Sequence, residues 1–296
     1  MRFLFVDQIL KRDHPNQIVG LKHITPEDPF LCRDGEGDSL CFIPSLIGET
    51  IGQLAAWLVM HDQHFTRRPV AGVVSQACMY QPAYVGDTLL LECEIDAVDE
   101  VAVEYHGHAK VNGNVVFSVD GAIGPMLPMQ QFIDESQVRQ QFLEIDRPID
   151  ESIEEYLAQL PAYPNVAHIG RECLMQFDSV LSMEPQKSCR AVKKVSRAAP
   201  YFADHFPNKP VLPLTVLLEL IRQLAKDFMQ ASGWQHQYRL IRMERIKMSE
   251  FIQPGDCVVS ELLVKKVSDS ALVLHIRSFV HQKRVCVVEL IYQSEV

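Results

Sequence analysis

Hydrophobic positions follow two spacings along this chain, and the two spacings recur in the same order in each half. Residues 45 to about 60 carry leucine and isoleucine at helical spacing behind Pro44. A second helix, apolar on most sides and therefore expected to be buried, follows Pro213 and extends to about Met229. Strand-like runs come after each helix, at 70–80, 88–95, 101–111 and 115–123, and again at 238–251, 257–265, 271–280 and 284–292. The pattern predicts an α+β fold in which each half wraps an antiparallel sheet around one long helix.

Matching residues of the two halves lie about 170 positions apart. Glu49 matches Glu219 at an offset of 170, and Asp34 matches His205 at an offset of 171. A repeat of this length indicates duplication of a whole domain. We predict a first domain at 1–124, a polar helical connector at 125–165 and a second domain at 166–296. The connector would replace a homodimer by an intramolecular pseudo-dimer, which leaves open whether two such chains associate further.

Composition narrows the class of protein. The net charge of −10 argues against a nucleic-acid partner, and no apolar run has the length of a membrane span. The eight cysteines show no Cys-x-x-Cys spacing, which favours reduced, mostly buried thiols in the cytoplasm over zinc or disulfides. Residues 1–7 end in the acidic residue Asp7, which is too close to the start for a signal peptide, so we predict a first strand there.

Positive charge is nevertheless concentrated in one segment of the second half. Such a basic face suits an acidic partner or a phosphate-bearing ligand, but it is also typical of a solvated strand edge where lysines prevent unwanted pairing. Both interpretations stay open at this level. The basic residues of the segment are Lys187, Arg190, Lys193, Lys194, Arg197 and Lys209.

One carboxylate lies in each apolar helix, Glu49 in the first and Glu219 in the second. A buried carboxylate needs a partner, and burial raises its pKa, so that it can act as a general acid near neutral pH. The competing interpretation is a glutamate at a helix edge bonded to a loop. His205 precedes the second helix in a loop rich in aromatic residues and prolines, where it is either a packed loop histidine or a base beside the free amides of a helix N-terminus.

The sequence His205-Phe-Pro-Asn-Lys-Pro-Val-Leu-Pro213, followed by Glu219 and Gln223, resembles the signature of the β-hydroxyacyl-acyl-carrier-protein dehydratases. These are hot-dog-fold enzymes, and the repeat extends the resemblance to a double hot-dog protein. The resemblance implies that His205 of the second domain meets Glu49 of the first. His205 would remove the α-proton of a 3-hydroxyacyl thioester, and Glu49 would protonate the departing hydroxyl to leave a trans-2-enoyl thioester. Glu219 would then face a degenerate second site, where Asp34 replaces the histidine.

The resemblance also implies further roles. The substrate would be linked to acyl carrier protein, in fatty-acid or polyketide-type synthesis, with no cofactor. Leu214 stands where the family usually has the glycine whose amide binds the thioester carbonyl. The residues implied in oxyanion and substrate binding are Pro213, Leu214, Phe206, Gln53 and Gln223, and those implied in carrier docking are Lys193, Lys194, Arg197 and Lys209.

Two other functions are compatible with the same residues. If Leu214 closes the site, the protein would be an acyl-carrier-binding or scaffold subunit without catalytic activity. A hot-dog thioesterase would use Glu49 or Glu219 to direct water at the thioester, but it would not need the His205 loop. His106 and His108 share one face of a predicted strand, where exposed strand histidines are the simpler interpretation than a metal pair, and we predict no metal.

Overall fold

The computed structural model describes residues 3–12, 14–25, 28–33, 39–146, 175–195 and 199–294. The described part of the first half contains, in chain order, β1 (Gln8–Lys11), β2 (Gln17–His23), β3 (Leu31–Arg33), β4 (Leu40–Phe42), α1 (Pro44–Asp62), β5 (Arg67–Pro69), β6 (Val73–Met79), β7 (Thr88–Val98), β8 (Ala102–Val111) and β9 (Asn114–Pro128), followed by α2 (Glu135–Ile145). The second half has β10 (Ser179–Glu184), β11 (Ser188–Lys194), α3 (Leu214–Ala231), β12 (Tyr238–Met248), β13 (Cys257–Ser268), β14 (Ala271–Val280) and β15 (Lys283–Ser294).

Strands of both halves join in one antiparallel sheet. Its order is β1-β2-β7-β8-β9-β6-β12-β15-β14-β13-β11-β10, with β5 paired to β9. The halves meet where β6 pairs with β12, from Arg242 opposite Cys78 to Lys247 opposite Val73. The long helices α1 and α3 pack against each other. This is the predicted fold, with two sheet-wrapped helices side by side. The predicted boundary at 124 stays a prediction, and β9 continues to Pro128.

Hydrophobic burial explains why these segments form these elements. In α1, Leu46, Ile51 and Leu54 lie at helical spacing and each is completely buried. Along β14 every second residue is buried, as expected of a strand with one face on the core. Each such large aliphatic side chain contributes about 1.5–3 kcal/mol when fully buried. Six of the seven described cysteines are buried and all seven are free thiols. None of the described helices has the length and apolar character that a bilayer crossing requires.

The predicted strand over residues 1–7 is wrong for the part that the structure describes, because β1 begins only at Gln8. Side chains hold the preceding backbone instead. The amide of Phe3 donates to the Asp204 carboxylate at 2.7 Å, and the amide of Phe5 donates to Gln53 Oε1 at 2.9 Å. Both phenylalanine rings lie in the core. Of the predicted connector, α2 is helical, whereas residues 147–165 lie outside the described residues.

Candidate active site

Glu49 lies in the second turn of α1, where its carboxylate is held from both halves of the chain. Gln53 Nε2, one turn further along the same helix, donates to Oε1 at 3.0 Å. Thr215 Oγ1, from the start of α3, donates to Oε2 at 2.8 Å. Burial raises the pKa of Glu49, while these two hydrogen bonds and the nearby charge of Arg68 lower it in part. The net upward shift favours a carboxyl group that carries a proton.

His205 lies in the loop that leads into α3. Its backbone is fixed at both ends, since its amide donates to Tyr201 O and its carbonyl accepts from Val211 N, each at 3.1 Å. Its ring stacks on Phe206 at 4.1 Å and meets the edge of Phe3 at 5.6 Å. Burial, reinforced by the charge of Arg68, lowers the pKa of His205 to about 3. The imidazole is therefore neutral at physiological pH and is able to accept a proton.

These two side chains line one cavity of about 120 Å³, although they come from opposite halves of the chain. Leu214 and Thr215, at the N-terminus of α3, also line it. The first hydrogen bond within α3 is donated by Leu217 to Pro213 O, so the amides of residues 214–216 precede the helical ladder. Most of the remaining wall is apolar and comes from β6, β9, β12 and α3, including Val74, Ala77, Met79, Phe117, Val119, Leu218, Met243 and Ile246. The cavity thus combines a carboxyl group with a raised pKa, a neutral imidazole, the amides at the start of α3 and an apolar chamber.

The other residues predicted to bind substrate have different surroundings. Gln53 also lines the cavity, and besides its contact with Glu49 it accepts from Phe5 N at 2.9 Å and donates to Phe3 O at 3.1 Å. It ties the N-terminal segment to the Glu49 carboxylate. Phe206 and Leu214 line the cavity, and Pro213 is the N-cap residue of α3. Gln223 does not reach this cavity wall and instead donates to Glu219 at 2.6 Å.

Glu219 has the twin position in α3 and is completely buried. Arg222 donates two hydrogen bonds to its carboxylate, from Nε to Oε2 at 2.9 Å and from Nη2 to Oε1 at 2.7 Å. Ser45 Oγ, at the start of α1, also donates to Oε2 at 3.2 Å. Charge-assisted hydrogen bonds of this kind engage the Glu219 carboxylate within the protein. The Asp34 that was predicted to complete this second site lies outside the described residues.

The repeat register relates the two glutamate sites residue by residue. Thr215 matches Ser45 at the same offset of 170, and each hydroxyl donates to the glutamate of the opposite half. The sequence prediction did not include Thr215. The offset of 170 residues, which places Thr215 opposite Ser45, is the signal that could have identified it. Arg222 matches Gly52. A glycine therefore stands beside Glu49 where the second site has the guanidinium that neutralises Glu219.

The residues predicted to dock a carrier protein are spread over two elements. Lys193, on β11, is paired with Asp178 at 2.6 Å, and the backbone amide of Lys194 contacts the same carboxylate. Lys209, in the His205 loop, places its ammonium 4.5 Å from the centre of the Phe251 ring. Arg197 lies outside the described residues. Among the docking candidates that the structure describes, Lys209 is the one that lies in the His205 loop.

The histidines on β8 pair with acids of the neighbouring strand. His106 Nδ1 lies 2.8 Å from Asp96, and His108 Nε2 lies 3.0 Å from Glu92. Across the described ranges, no cluster of three or more histidine, cysteine or acidic side chains has an arrangement that suits a metal ion.

Comparison with known proteins relates the second half to one family. Residues 182–287 match the model of the ApeI-like family, described as ApeI dehydratase. This stretch includes the His205 loop and α3. The second half is therefore similar in sequence to a dehydratase family. Among curated relatives, the 3-hydroxyacyl-[acyl-carrier-protein] dehydratase FabZ of Burkholderia thailandensis is 30% identical over 91 residues, which cover 29% of this chain and 57% of the relative. The FabZ of Burkholderia mallei is 29% identical over 91 residues, and the chain spans 59% of its length.

Solved structures extend the hot-dog fold to both halves. The dehydratase domain of PpsC from Mycobacterium tuberculosis, solved with C12:1-CoA, aligns with 98% of this chain and 98% of its own at a TM-score of 0.54 and 11% identity. A putative oleoyl thioesterase from Lactobacillus plantarum aligns with 94% of this chain and 96% of its own, at a TM-score of 0.54 and 12% identity. At these identities the likeness establishes the fold and not the reaction, since both dehydratases and thioesterases use it.

Proposed function

We propose that this protein removes water from a 3-hydroxyacyl thioester to give a trans-2-enoyl thioester. The observation that carries the proposal is that His205 and Glu49 line one cavity, where burial lowers the pKa of His205 and raises the pKa of Glu49. Two titratable groups whose pKa values are displaced in opposite directions are the usual sign of an acid and base pair. The two halves would thus build one catalytic site between them.

In the proposed reaction, the acyl chain lies in the apolar chamber and the thioester carbonyl faces the start of α3. The amide groups there stabilise the negative charge that develops on the carbonyl oxygen. His205 accepts the proton from the carbon next to the carbonyl. The electron pair forms the new double bond while the bond from the third carbon to its hydroxyl breaks, and Glu49 supplies the proton that turns the hydroxyl into water.

The position of Leu214 is compatible with this assignment. Its side chain is buried and forms part of the wall, yet a cavity of about 120 Å³ extends past it to Glu49 and His205. The residue retains its backbone amide, which is the group that the oxyanion needs. Space beside the helix N-terminus favours a catalytic site over a binding subunit whose pocket has closed.

The acyl group is proposed to arrive on acyl carrier protein, whose acidic surface suits the basic side chains near the loop. Lys209 supports this orientation best among the described candidates, because it extends from the His205 loop. Lys193 and Lys194 contact Asp178 and are weaker candidates. A cytoplasmic location stays a prediction.

The test is the near-ultraviolet absorbance of the conjugated enoyl thioester, followed in both directions with 3-hydroxyacyl and enoyl thioesters of several chain lengths. The wild type is expected to interconvert them, and His205→Ala is expected to lose turnover while keeping its fold. Release of free thiol with no enoyl product would indicate a thioesterase. Binding of acyl carrier protein by a folded wild type with no turnover would indicate a binding subunit.

A further inference from the structure

Arg68 is the charged residue of the site that neither the sequence motif nor the proposed roles explain. It lies on the short strand β5 and lines the cavity together with Glu49 and His205. Its guanidinium stacks over the Phe206 ring, with Cζ 3.9 Å from the ring centre. Its Nε is shielded from solvent and has no hydrogen-bond partner in the part of the chain that the structure describes. A buried guanidinium with an unsatisfied N–H group is costly for folding, and buried charged groups of this kind concentrate at functional sites.

A second, smaller cavity adjoins the first at this residue. Its volume is about 30 Å³, and Arg68, Glu49 and His205 line both chambers. A water molecule needs roughly 10–15 Å³ of such space, so this chamber has room for about two water molecules and none for an acyl chain. Its polar lining includes Gln53 and Asp204. Water occupies a cavity of this kind when two to four polar groups surround it.

We propose that this smaller chamber receives the hydroxyl group that leaves the substrate as water, and that Arg68 is a catalytic residue that donates to its oxygen. The inference rests on the proposed dehydration. As the carbon–oxygen bond breaks, the oxygen gains negative charge before the proton of Glu49 reaches it. A fixed guanidinium beside that oxygen stabilises the charge, and it also stabilises the carboxylate that Glu49 becomes. No other reactant is needed, because His205 holds the proton taken from carbon.

The electrostatics of the site agree with this role. The charge of Arg68 lowers the pKa of Glu49 and also lowers that of His205. It therefore favours the ionised acid that the reaction produces and keeps the base unprotonated beforehand. Phe206 presents its ring face to the guanidinium and holds it in place without neutralising the charge.

The experiment compares Arg68→Met with Arg67→Met, its neighbour on β5. Arg67 is the matched control because it points to the carbonyl of Met126 at 3.0 Å and lines neither chamber. The readouts are kcat for dehydration, the pH profile, and the Ki of a saturated acyl thioester, which lacks the 3-hydroxyl. For Arg68→Met we expect kcat to fall about 10²-fold, in the range of one lost transition-state donor. We expect Ki to stay within about twofold of wild type because the acyl chamber and thioester contacts remain.

The pH profile separates this role from a structural one. Loss of the Arg68 charge should move the limb that reports His205 to higher pH, since that charge lowers the pKa of His205. Arg67→Met should leave the limb in place. Arg68→Gln is the second variant, because its amide fills part of the space and guards against loss of fold, and the same fall in kcat is expected.

Three results would overturn the inference. The first is a kcat in both Arg68 variants that equals that of the wild type. The second is a rise in Ki that matches the fall in kcat/KM, because Arg68 would then bind the thioester rather than the leaving oxygen. The third is a wild type that does not dehydrate any 3-hydroxyacyl thioester, and this result alone would also overturn the proposed function.

Discussion

Replacing Thr215 by valine tests whether Glu49 acts as the acid. Valine has nearly the shape of threonine but lacks the hydroxyl that donates to Glu49 Oε2 at 2.8 Å. That hydrogen bond lowers the pKa of Glu49, so its loss should raise the pKa further. A hydrogen bond to a charged group contributes about 1.5–3 kcal/mol, and one pKa unit corresponds to about 1.36 kcal/mol. The expected shift is therefore about 1–2 units upward.

The assay is kcat/KM for dehydration as a function of pH. Turnover requires the protonated form of Glu49, so the alkaline limb marks its ionisation in the free enzyme. In Thr215→Val this limb should move to higher pH by about 1–2 units. The acid limb, which reports His205, should stay in place. Thr215→Ser retains a hydroxyl and is expected to follow the wild type.

The reasoning fails if the alkaline limb of Thr215→Val coincides with that of the wild type, or if the acid limb moves to higher pH instead. The first result would mean that Glu49 does not set the alkaline limb. The second would mean that its ionised form carries out the reaction, as a water-directing carboxylate in a thioesterase would.

Three further predictions concern the two glutamate sites. Gly52→Arg gives Glu49 an arginine at the position that Arg222 has relative to Glu219, and it should lower the rate of dehydration by at least about 10²-fold. Gly52→Ala is the control for added bulk, because its Cβ would meet the same Tyr105 hydroxyl at 2.9 Å. Arg222→Met leaves the Glu219 carboxylate buried without its cation and should reduce the free energy of unfolding in urea by about 3–5 kcal/mol, with dehydration retained below the transition; unchanged stability would contradict the pairing. Glu49→Gln should change the pH dependence of stability. Because the pKa of Glu49 is raised on folding, the folded wild type binds more protons than the unfolded chain. The wild type should therefore lose stability as the pH rises above about 4.3 towards the folded pKa. Denaturant titrations should not find this loss in Glu49→Gln.

Regular periodicity explains why so much of the fold could be predicted. The strand predicted at 271–280 is β14 with the same limits, and both long helices begin and end within a few residues of their predicted bounds. The offset of 170 residues is by itself enough to give Glu49 and Glu219 equivalent positions in their helices. Duplicated proteins carry this information twice, and a feature that recurs at one offset is constrained by the fold rather than by local propensity.

Other features depend on contacts that no periodicity encodes. Phe3 and Phe5 have the alternation of a strand, but side chains of Asp204 and Gln53 compete successfully for their amides. Arg68 lies on a three-residue strand, distant in sequence from His205 and separated from Glu49 by the rest of α1, so only the assembled sheet brings it to them. The pairing of Glu219 with Arg222 is different, because three-residue spacing on a helix was a visible signal for it.

The central claim is that the two halves build one catalytic site, with His205 from the second half and Glu49 from the first. The most direct measurement is the dehydration rate of Glu49→Gln beside Glu219→Gln, each normalised to folded protein. The account predicts a loss of at least about 10²-fold in Glu49→Gln and a rate near that of the wild type in Glu219→Gln. Equal losses in both variants, or a loss confined to Glu219→Gln, would contradict it.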